Sequence, residues 1–220
     1  MRYALQFGDL LPYWHVLLGG LIFTIVLTLV STIVGIGLGT VCASIRAFGP
    51  RWADAIAGAY VELIRNTPFI VQLFFIFFGL PAAGVKLSET TAAFLAMVIN
   101  LGAYSTEIIR AGIQAVPKGH LEAGESLAMS RIEILRYVVL KQAFQKVYPA
   151  LCSQIIIVML GSSVVSQISA EDLTYAANYI QSRNFRAFEV YFVAALFYLM
   201  LAISMRAILR GIGHVIFPKA

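Results

Sequence analysis

Hydrophobic positions dominate the chain in five stretches without any Asp, Glu, Lys or Arg: residues 10–45, 66–85, 90–106, 147–170 and 190–205. A helix that spans a bilayer needs about 20 mostly apolar residues, within a range of about 17–25. The first stretch exceeds that length, whereas the third and the fifth reach it only with interfacial residues. The pattern predicts an all-α integral membrane protein with about five transmembrane helices, in which residues 1–220 form a single transmembrane domain.

One charged segment interrupts this pattern. "EAGESLAMSRIEILRYVVLKQAF", residues 122–144, mixes acidic and basic residues between two apolar stretches, and neither Gly nor Pro follows Gly124 within it. Because charged side chains are costly inside a bilayer, we expect a helix that stays outside the membrane and continues, after a bend, into the fourth span.

Composition and charge support a membrane protein and give it an orientation. The chain is 60% hydrophobic and 12% charged, with a mean hydropathy of +0.85, against roughly 25% charged residues in soluble domains. With the amino terminus outside, eleven Lys and Arg, Lys219 among them, fall on the cytoplasmic side and four, including Arg2, on the outer side. This positive-inside asymmetry places the carboxyl terminus in the cytoplasm. It also accounts for the net charge of +5 without a nucleic acid partner.

Motifs of catalysis and metal binding are missing from the sequence. It contains no Walker sequence, no His-Glu-x-x-His and no Gly-x-Ser-x-Gly, and its three histidines are far apart. Cys42 and Cys152 lie in apolar helix, where packing explains them. We therefore predict a protein that is not an enzyme and binds no cofactor or metal, and whose energy source lies on a partner.

Polar groups within the apolar stretches mark candidate functional positions, because such groups usually face protein or water. Glu62 and Arg65 are three residues apart and can pair on one helix face. Pro68 removes a helical hydrogen bond, so it can kink the second span and free a carbonyl near Thr67. Gln72 lies deeper, either as a contact between helices or as a ligand contact.

Further polar positions follow along the chain. Asn100 and Tyr104 are four residues apart on one helix face. Ser162 and Ser163 lie at the outer end of the fourth span, where they either face a solute or bond back to helix carbonyls. Asp172 is expected to be a solvated loop charge. From composition alone, a self-sufficient secondary carrier or channel and a membrane scaffold or receptor both remain open.

Three blocks of sequence resemble known permeases. "KGHLEAGESLAMSRIEILRYVVLKQAFQKVYP", residues 118–149, resembles the Glu-Ala-Ala loop of ABC-importer permeases. "IRNTPFIVQLFFIFFGLP", residues 64–81, and "GAYSTEIIRAGIQAVPKGHLEAG", residues 102–124, are similar to the polar amino acid permease family, which serves histidine, glutamate, glutamine, arginine and opine uptake. The resemblance implies the ABC type I importer permease fold in a bacterial inner membrane.

The resemblance also implies partners. A cytoplasmic coupling helix, within a loop at about 117–136, would dock on a dimer of ATP-binding cassette ATPases, which carry the ATP and Mg. A second permease chain, non-identical or identical, would complete the path, and a periplasmic binding protein would deliver a polar amino acid. The docking contacts implied in this chain are Glu122, Ala123, Gly124, Leu127, Ala128 and Arg131.

Several positions depart from the family pattern. Gly124 replaces an Ala, Ala128 stands where Gly is expected and Lys141 replaces a Pro. We expect Gly124 to loosen the start of the coupling helix, Ala128 to stiffen its middle, and Lys141 to let the fourth span continue. The acid that some members carry in the fourth span is absent here, where the chain reads Gly161-Ser162-Ser163. The predicted substrate path is lined by Thr67, Gln72, Asn100, Ser162 and Ser163.

Overall fold

The computed structural model describes residues 5–217, so Arg2 and Lys219 lie outside the described part of the chain. Within it we number eight helices, and a short 3₁₀ turn, Phe7–Tyr13, leads into the first. The helices are α1 Trp14–Phe48, α2 Arg51–Arg65, α3 Phe69–Ala82, α4 Glu89–Gln114, α5 Lys118–Ser126, α6 Arg131–Ile168, α7 Leu173–Asn184 and α8 Ala187–Ile216.

Four helices in the described residues are long and apolar enough to cross a membrane, namely α1, α4, α6 and α8. The pair α2–α3 passes the same test only jointly, because its two helices are bent by 111° at the break between them. Counting that pair as one span gives the five that the sequence predicts. The all-helical membrane architecture is thus confirmed.

Helix α1 packs closely on α4 through small residues. A Cβ added to Gly39 would lie 2.6 Å from Cβ of Ser105, and one added to Gly35 would lie 3.1 Å from Leu101. These distances leave no room for a side chain at Gly39, whereas Gly37 faces open space. Gly35 and Gly39, four residues apart, therefore let the backbones of α1 and α4 approach one another.

The second predicted span is two helices rather than one kinked helix. Pro68 has an extended backbone (φ −63°, ψ 140°) and is the N-cap of α3. Because Pro has no N–H, it cannot continue the hydrogen bonds of α2, which ends at Arg65. The chain thus turns sharply at residues 66–68.

The charged segment also divides into two helices, α5 and α6, joined by a turn. Helix α5 ends with Met129 N–H donating to the carbonyl of Gly124 (3.1 Å) and Ala128 N–H donating to that of Glu125 (2.9 Å). This is a Schellman motif, which favours glycine at its left-handed position. Ala128 occupies that position with φ +58°. The prediction that Ala128 stiffens a helix middle is wrong, because the residue lies beyond the helix end.

The prediction for Gly124 is wrong as well. The residue lies near the end of α5, not at its start, and a Cβ there would meet Ile134 Cγ1 at 2.8 Å. Gly124 thus lets the turn fold back on α6. Glu122 lies in the middle of α5. Helix α6 does continue through Lys141, as predicted, after a π-helical stretch at Ile134–Val139.

The opposite end of the bundle contains a buried acid. Asp172, predicted to be solvated, is fully buried and caps α7 by accepting from the N–H of Tyr175 (2.8 Å). It also accepts from the Tyr198 hydroxyl of α8 (2.9 Å), while Thr24 of α1 accepts from the N–H of Leu173 (3.1 Å). Burial raises the pKa of the Asp172 carboxyl to about 6, although these hydrogen bonds act to lower it. The prediction failed because Tyr198 is distant in sequence.

Candidate functional site

The break between α2 and α3 is held together by one buried side chain. Gln72 donates from Nε2 to the carbonyls of Ile64 (2.7 Å) and Thr67 (2.9 Å). In an unbroken helix the Ile64 carbonyl would accept from residue 68, which is Pro68 and has no N–H. The amide thus supplies the donor that the proline removes. The sequence predicts that Pro68 frees a carbonyl near Thr67, and the carbonyl of Ile64 is the one that loses its helical donor.

Gln72 also connects the break to α4. Its Oε1 accepts from Nδ2 of Asn100 at 3.0 Å. Gln72 itself is only 7% exposed, so it orients Asn100 from behind rather than facing open space. The alternative that Gln72 joins helices is therefore the one that its contacts favour.

A cavity of about 380 Å³ opens beside this break, where α2–α3, α4 and α6 meet. Its polar lining comes from Thr67, Asn100, Tyr104 and Gln154, and no ionisable acid or base is among the lining residues. Pro68, Phe69 and Met97 supply part of the apolar wall. Ligand cavities commonly combine an apolar wall with a few placed polar groups.

The structure brings some predicted residues together and separates others. Thr67 and Asn100 line the cavity and Gln72 lies behind them, as described above. Ser162 and Ser163 do not line it: their hydroxyls donate to the carbonyls of Met159 (2.7 Å) and Leu160 (2.9 Å). The neighbouring Gly161 does line the cavity. Both serines therefore follow the alternative in which hydroxyls bond back to their own helix.

Sequence reasoning missed Gln154 as a lining residue. It is an amide in the middle of an uncharged run, and its side chain makes no hydrogen bond to another described residue. Its position, seven residues before Gly161, puts both on the same face of α6 after two turns. A polar residue on the face that carries the glycine is the signal that would have identified it.

A cluster of ion pairs lies next to the cavity at the end of α4. Glu107 accepts from Arg46 of α1 and from Arg110 (2.8 Å), and Arg65 approaches it at 3.9 Å. The Arg65 guanidinium also lies 5.6 Å from the centre of the Tyr104 ring. The predicted Glu62–Arg65 pair is not formed. Glu62 instead accepts from Asn66 (2.9 Å), while Arg65 points toward Glu107.

The predicted docking loop presents an exposed surface at the same end of the bundle. Glu122, Ala123, Ala128 and Arg131 are exposed, and Leu127 is 77% exposed. Gly124 is buried against Ile134 and cannot contribute a side-chain contact. The described residues contain no group of three His, Cys, Asp or Glu side chains that could hold a metal ion.

Long apolar helices, a broken helix pair and a cavity between helices define a membrane-spanning transport subunit. Residues 35–214 match the family described as "Binding-protein-dependent transport system inner membrane component". The chain belongs to this family.

Similar proteins narrow the class further. The chain is 36% identical to the glutamine transport system permease protein GlnP of Escherichia coli over 90% of this chain and 92% of the relative. It is 38% identical to the L-cystine transport system permease protein TcyB of Bacillus subtilis, over 88% and 86% respectively. These relatives support the predicted reading of a permease subunit of an amino acid ABC importer.

Solved structures share the fold. A crystal structure of an amino acid ABC transporter with histidines superposes with a TM-score of 0.86 and 35% identity, covering 96% of this chain and 99% of that one. The inward-facing MetNI methionine ABC transporter has a TM-score of 0.76, with 93% and 98% covered. Its 19% identity supports the fold alone. The predicted type I importer permease fold is confirmed.

Proposed function

We propose that this chain forms one wall of the path by which an ATP-driven importer moves a polar amino acid across the inner membrane, and that Thr67, Asn100, Tyr104 and Gln154 face the solute. The observation that carries the proposal is the cavity beside Pro68, where three spans meet around neutral polar groups. Irregular backbone inside a membrane is tolerated where it lines a cavity, and the α2–α3 break meets that condition.

The chemistry of this wall favours a solute with a neutral polar side chain. The lining residues include no carboxylate, and Gly161-Ser162-Ser163 brings no acid into the region. Amide and hydroxyl groups can donate to and accept from a side-chain amide at the same time. A glutamine-like substrate therefore suits this chain, and a cationic amino acid would need a carboxylate from a second permease chain.

Energy would enter through the docking loop. Glu122 and Arg131 offer opposite charges and Leu127 offers an apolar contact, all on an exposed surface. An ATPase dimer that holds ATP and Mg would bind this surface. ATP hydrolysis would take place on that dimer and not on this chain. Gly124 shapes the loop from inside and is removed from the set of direct contacts.

The proposed assembly has a defined orientation. The docking loop and the carboxyl terminus lie in the cytoplasm and the amino terminus outside, in line with the distribution of Lys and Arg. A second permease chain, identical or not, closes the open side of the cavity. A periplasmic binding protein delivers the amino acid on the outer side. Residues 1–220 act as one transmembrane domain.

Affinity purification of the tagged chain from native membranes tests the docking proposal. An ATPase should co-purify with the unmodified chain and be lost with Glu122→Arg, because reversed charge would repel the surface that Glu122 contacts. Glu171→Arg is the matched control, since Glu171 is also an exposed acid but lies just before α7, at the opposite end of the bundle. Retention of the ATPase by Glu122→Arg, or equal loss in both variants, would contradict the proposal.

A further inference from the structure

A second, larger cavity lies between α6 and α8, away from the proposed substrate path. We call it the basic pocket, and its volume is about 710 Å³. Two arginines and a histidine of α8 line one side, and aromatic and aliphatic groups line the rest. The residues that matter here are Tyr148, Ile156, Arg206, Arg210, His214 and Phe217.

The cationic groups of the basic pocket form one row. Arg206, Arg210 and His214 are spaced four residues apart, so they lie above one another on a single face of α8. Arg206, Arg210 and His214 are each exposed. The row is therefore accessible from outside the described bundle.

Each of the two helices has one acid, in its first turn: Glu133 in α6 and Glu189 in α8. Residues 134–170 and 190–217 contain no Asp or Glu. Neither Arg206 nor Arg210 makes a salt bridge to any described residue. An unpaired charge near a membrane is costly unless a counter-charge or water accompanies it. Arg206 and Arg210 thus have no counter-charge among the described residues, so an anion could bind to them.

The position of the pocket relative to the membrane follows from its neighbours. The Tyr148 hydroxyl donates to the carbonyl of Leu209 (2.6 Å), and the Tyr148 and Phe217 rings lie 5.4 Å apart. Two residues earlier, Lys146 donates to the carbonyl of Ala115, just past the end of α4. The charged mouth of the pocket therefore lies at the end of the spans, and Ile156 lies two turns deeper toward the bundle centre.

We propose that the basic pocket binds an anionic phospholipid, with the phosphate at Arg206, Arg210 and His214 and an acyl chain along Ile156. Basic pockets between transmembrane helices bind anionic lipid headgroups. Bidentate donation by arginine suits a phosphate. The apolar floor and the opening to the outside of the bundle favour a lipid over a free anion. The basic pocket shares no lining residue with the cavity beside Pro68, so the lipid site does not depend on the proposed substrate or docking partner.

Native mass spectrometry of the purified full chain, with any subunits that remain bound, tests the site. The probes are phosphatidylglycerol, phosphatidylcholine with the same acyl chains, and inorganic phosphate. Each cation near an anionic lipid strengthens attraction about fivefold. The unmodified chain should retain phosphatidylglycerol in preference to phosphatidylcholine. Arg206→Gln with Arg210→Gln should weaken that binding about tenfold or more.

Matched variants separate this site from general charge attraction. Arg136→Gln with Lys141→Gln removes the same charge from exposed positions of α6 outside the pocket, and should weaken binding much less than the pocket variant does. Arg206→Lys with Arg210→Lys keeps the charge and should keep most of the binding, which controls for misfolding. Equal losses in the two glutamine variants would overturn the proposal. Displacement of the lipid by inorganic phosphate would also overturn it. So would a result in which Arg206→Gln with Arg210→Gln releases a protein subunit and keeps the lipid.

Discussion

Replacing Gln72 by leucine tests whether its side chain closes the break at Pro68. Leucine fills a similar volume but cannot donate to the carbonyls of Ile64 and Thr67, which accept from Gln72 at 2.7 and 2.9 Å. It also removes the acceptor that Asn100 uses at 3.0 Å. Gln72 Nε2 also lies 2.9 Å from Oγ1 of Thr67, so at least three hydrogen bonds are lost together. Gln72 is only 7% exposed, so water does not readily replace them.

The size of the effect follows from that count. A hydrogen bond contributes about 0.6 kcal/mol on average between membrane helices and about 0.5–1.5 kcal/mol in proteins generally. Three such bonds give an expected loss of about 2–4 kcal/mol in the free energy of unfolding. Gln154→Leu is the matched control, because it removes an amide from the same cavity that makes no hydrogen bond to another described residue. We expect it to leave stability within about 0.5 kcal/mol of the unmodified chain.

Unfolding of the purified chain by increasing SDS in mixed micelles, followed by circular dichroism, measures both changes. Uptake assays should show that Gln154→Leu lowers solute transport although its stability is unchanged, because Gln154 faces the cavity. If Gln72→Leu is as stable as Gln154→Leu, the amide does not hold the break together and our account of the cavity wall is wrong.

Three further predictions concern packing, turn geometry and pH. Gly39→Ala should destabilise the chain by about 1–3 kcal/mol, because the added Cβ would lie 2.6 Å from Cβ of Ser105. Gly37 faces open space, so Gly37→Ala should be neutral or stabilising in the same SDS titration. Ala128→Gly should stabilise the turn after α5 by about 1 kcal/mol, since φ is +58° there and glycine adopts it without strain; slower proteolysis of the loop would report this. Burial raises the pKa of Asp172 from 3.8 to about 6, so folding favours the protonated carboxyl. Stability should therefore fall as pH rises from about 4 through about 6, and Asp172→Asn should abolish that fall; an unchanged pH profile would contradict the assignment.

Local sequence rules predicted much of the framework. Uncharged stretches located the spans, because the cost of a charge in lipid depends on the segment alone. Gly35 and Gly39 are four residues apart, a spacing that favours close helix packing, and α1 and α4 make that contact. Pro68 predicted a disrupted helix, since its missing N–H is a property of the residue itself.

The errors concern features that depend on distant partners. Asp172 looked solvated because nothing near it in sequence shows that Tyr198 donates to it. Arg65 seemed paired with Glu62, but the turn at residues 66–68 leaves it closer to Glu107. The size of the 111° bend was likewise not predictable from Pro68 alone, because α3 also contacts a distant part of the chain, Asn100 of α4.

The prediction for the turn after α5 failed for a different reason. Its left-handed residue is Ala128, where the Schellman motif favours glycine, so a composition-based reading extended the helix through it. The family pattern, which has glycine at this position, carried the correct geometric information. Interpreting that glycine as a helix cap would have placed the end of α5 correctly.

Transport by purified components tests the central claim most directly. Proteoliposomes would contain either this chain alone or the complex that co-purifies with it, with glutamine supplied together with the cognate binding protein. We predict accumulation of glutamine only in the complex, only with ATP, and with no uptake by the chain alone under a proton or sodium gradient. Ion-driven glutamine uptake by the chain alone, without ATP, would contradict the account and would establish a self-sufficient carrier instead.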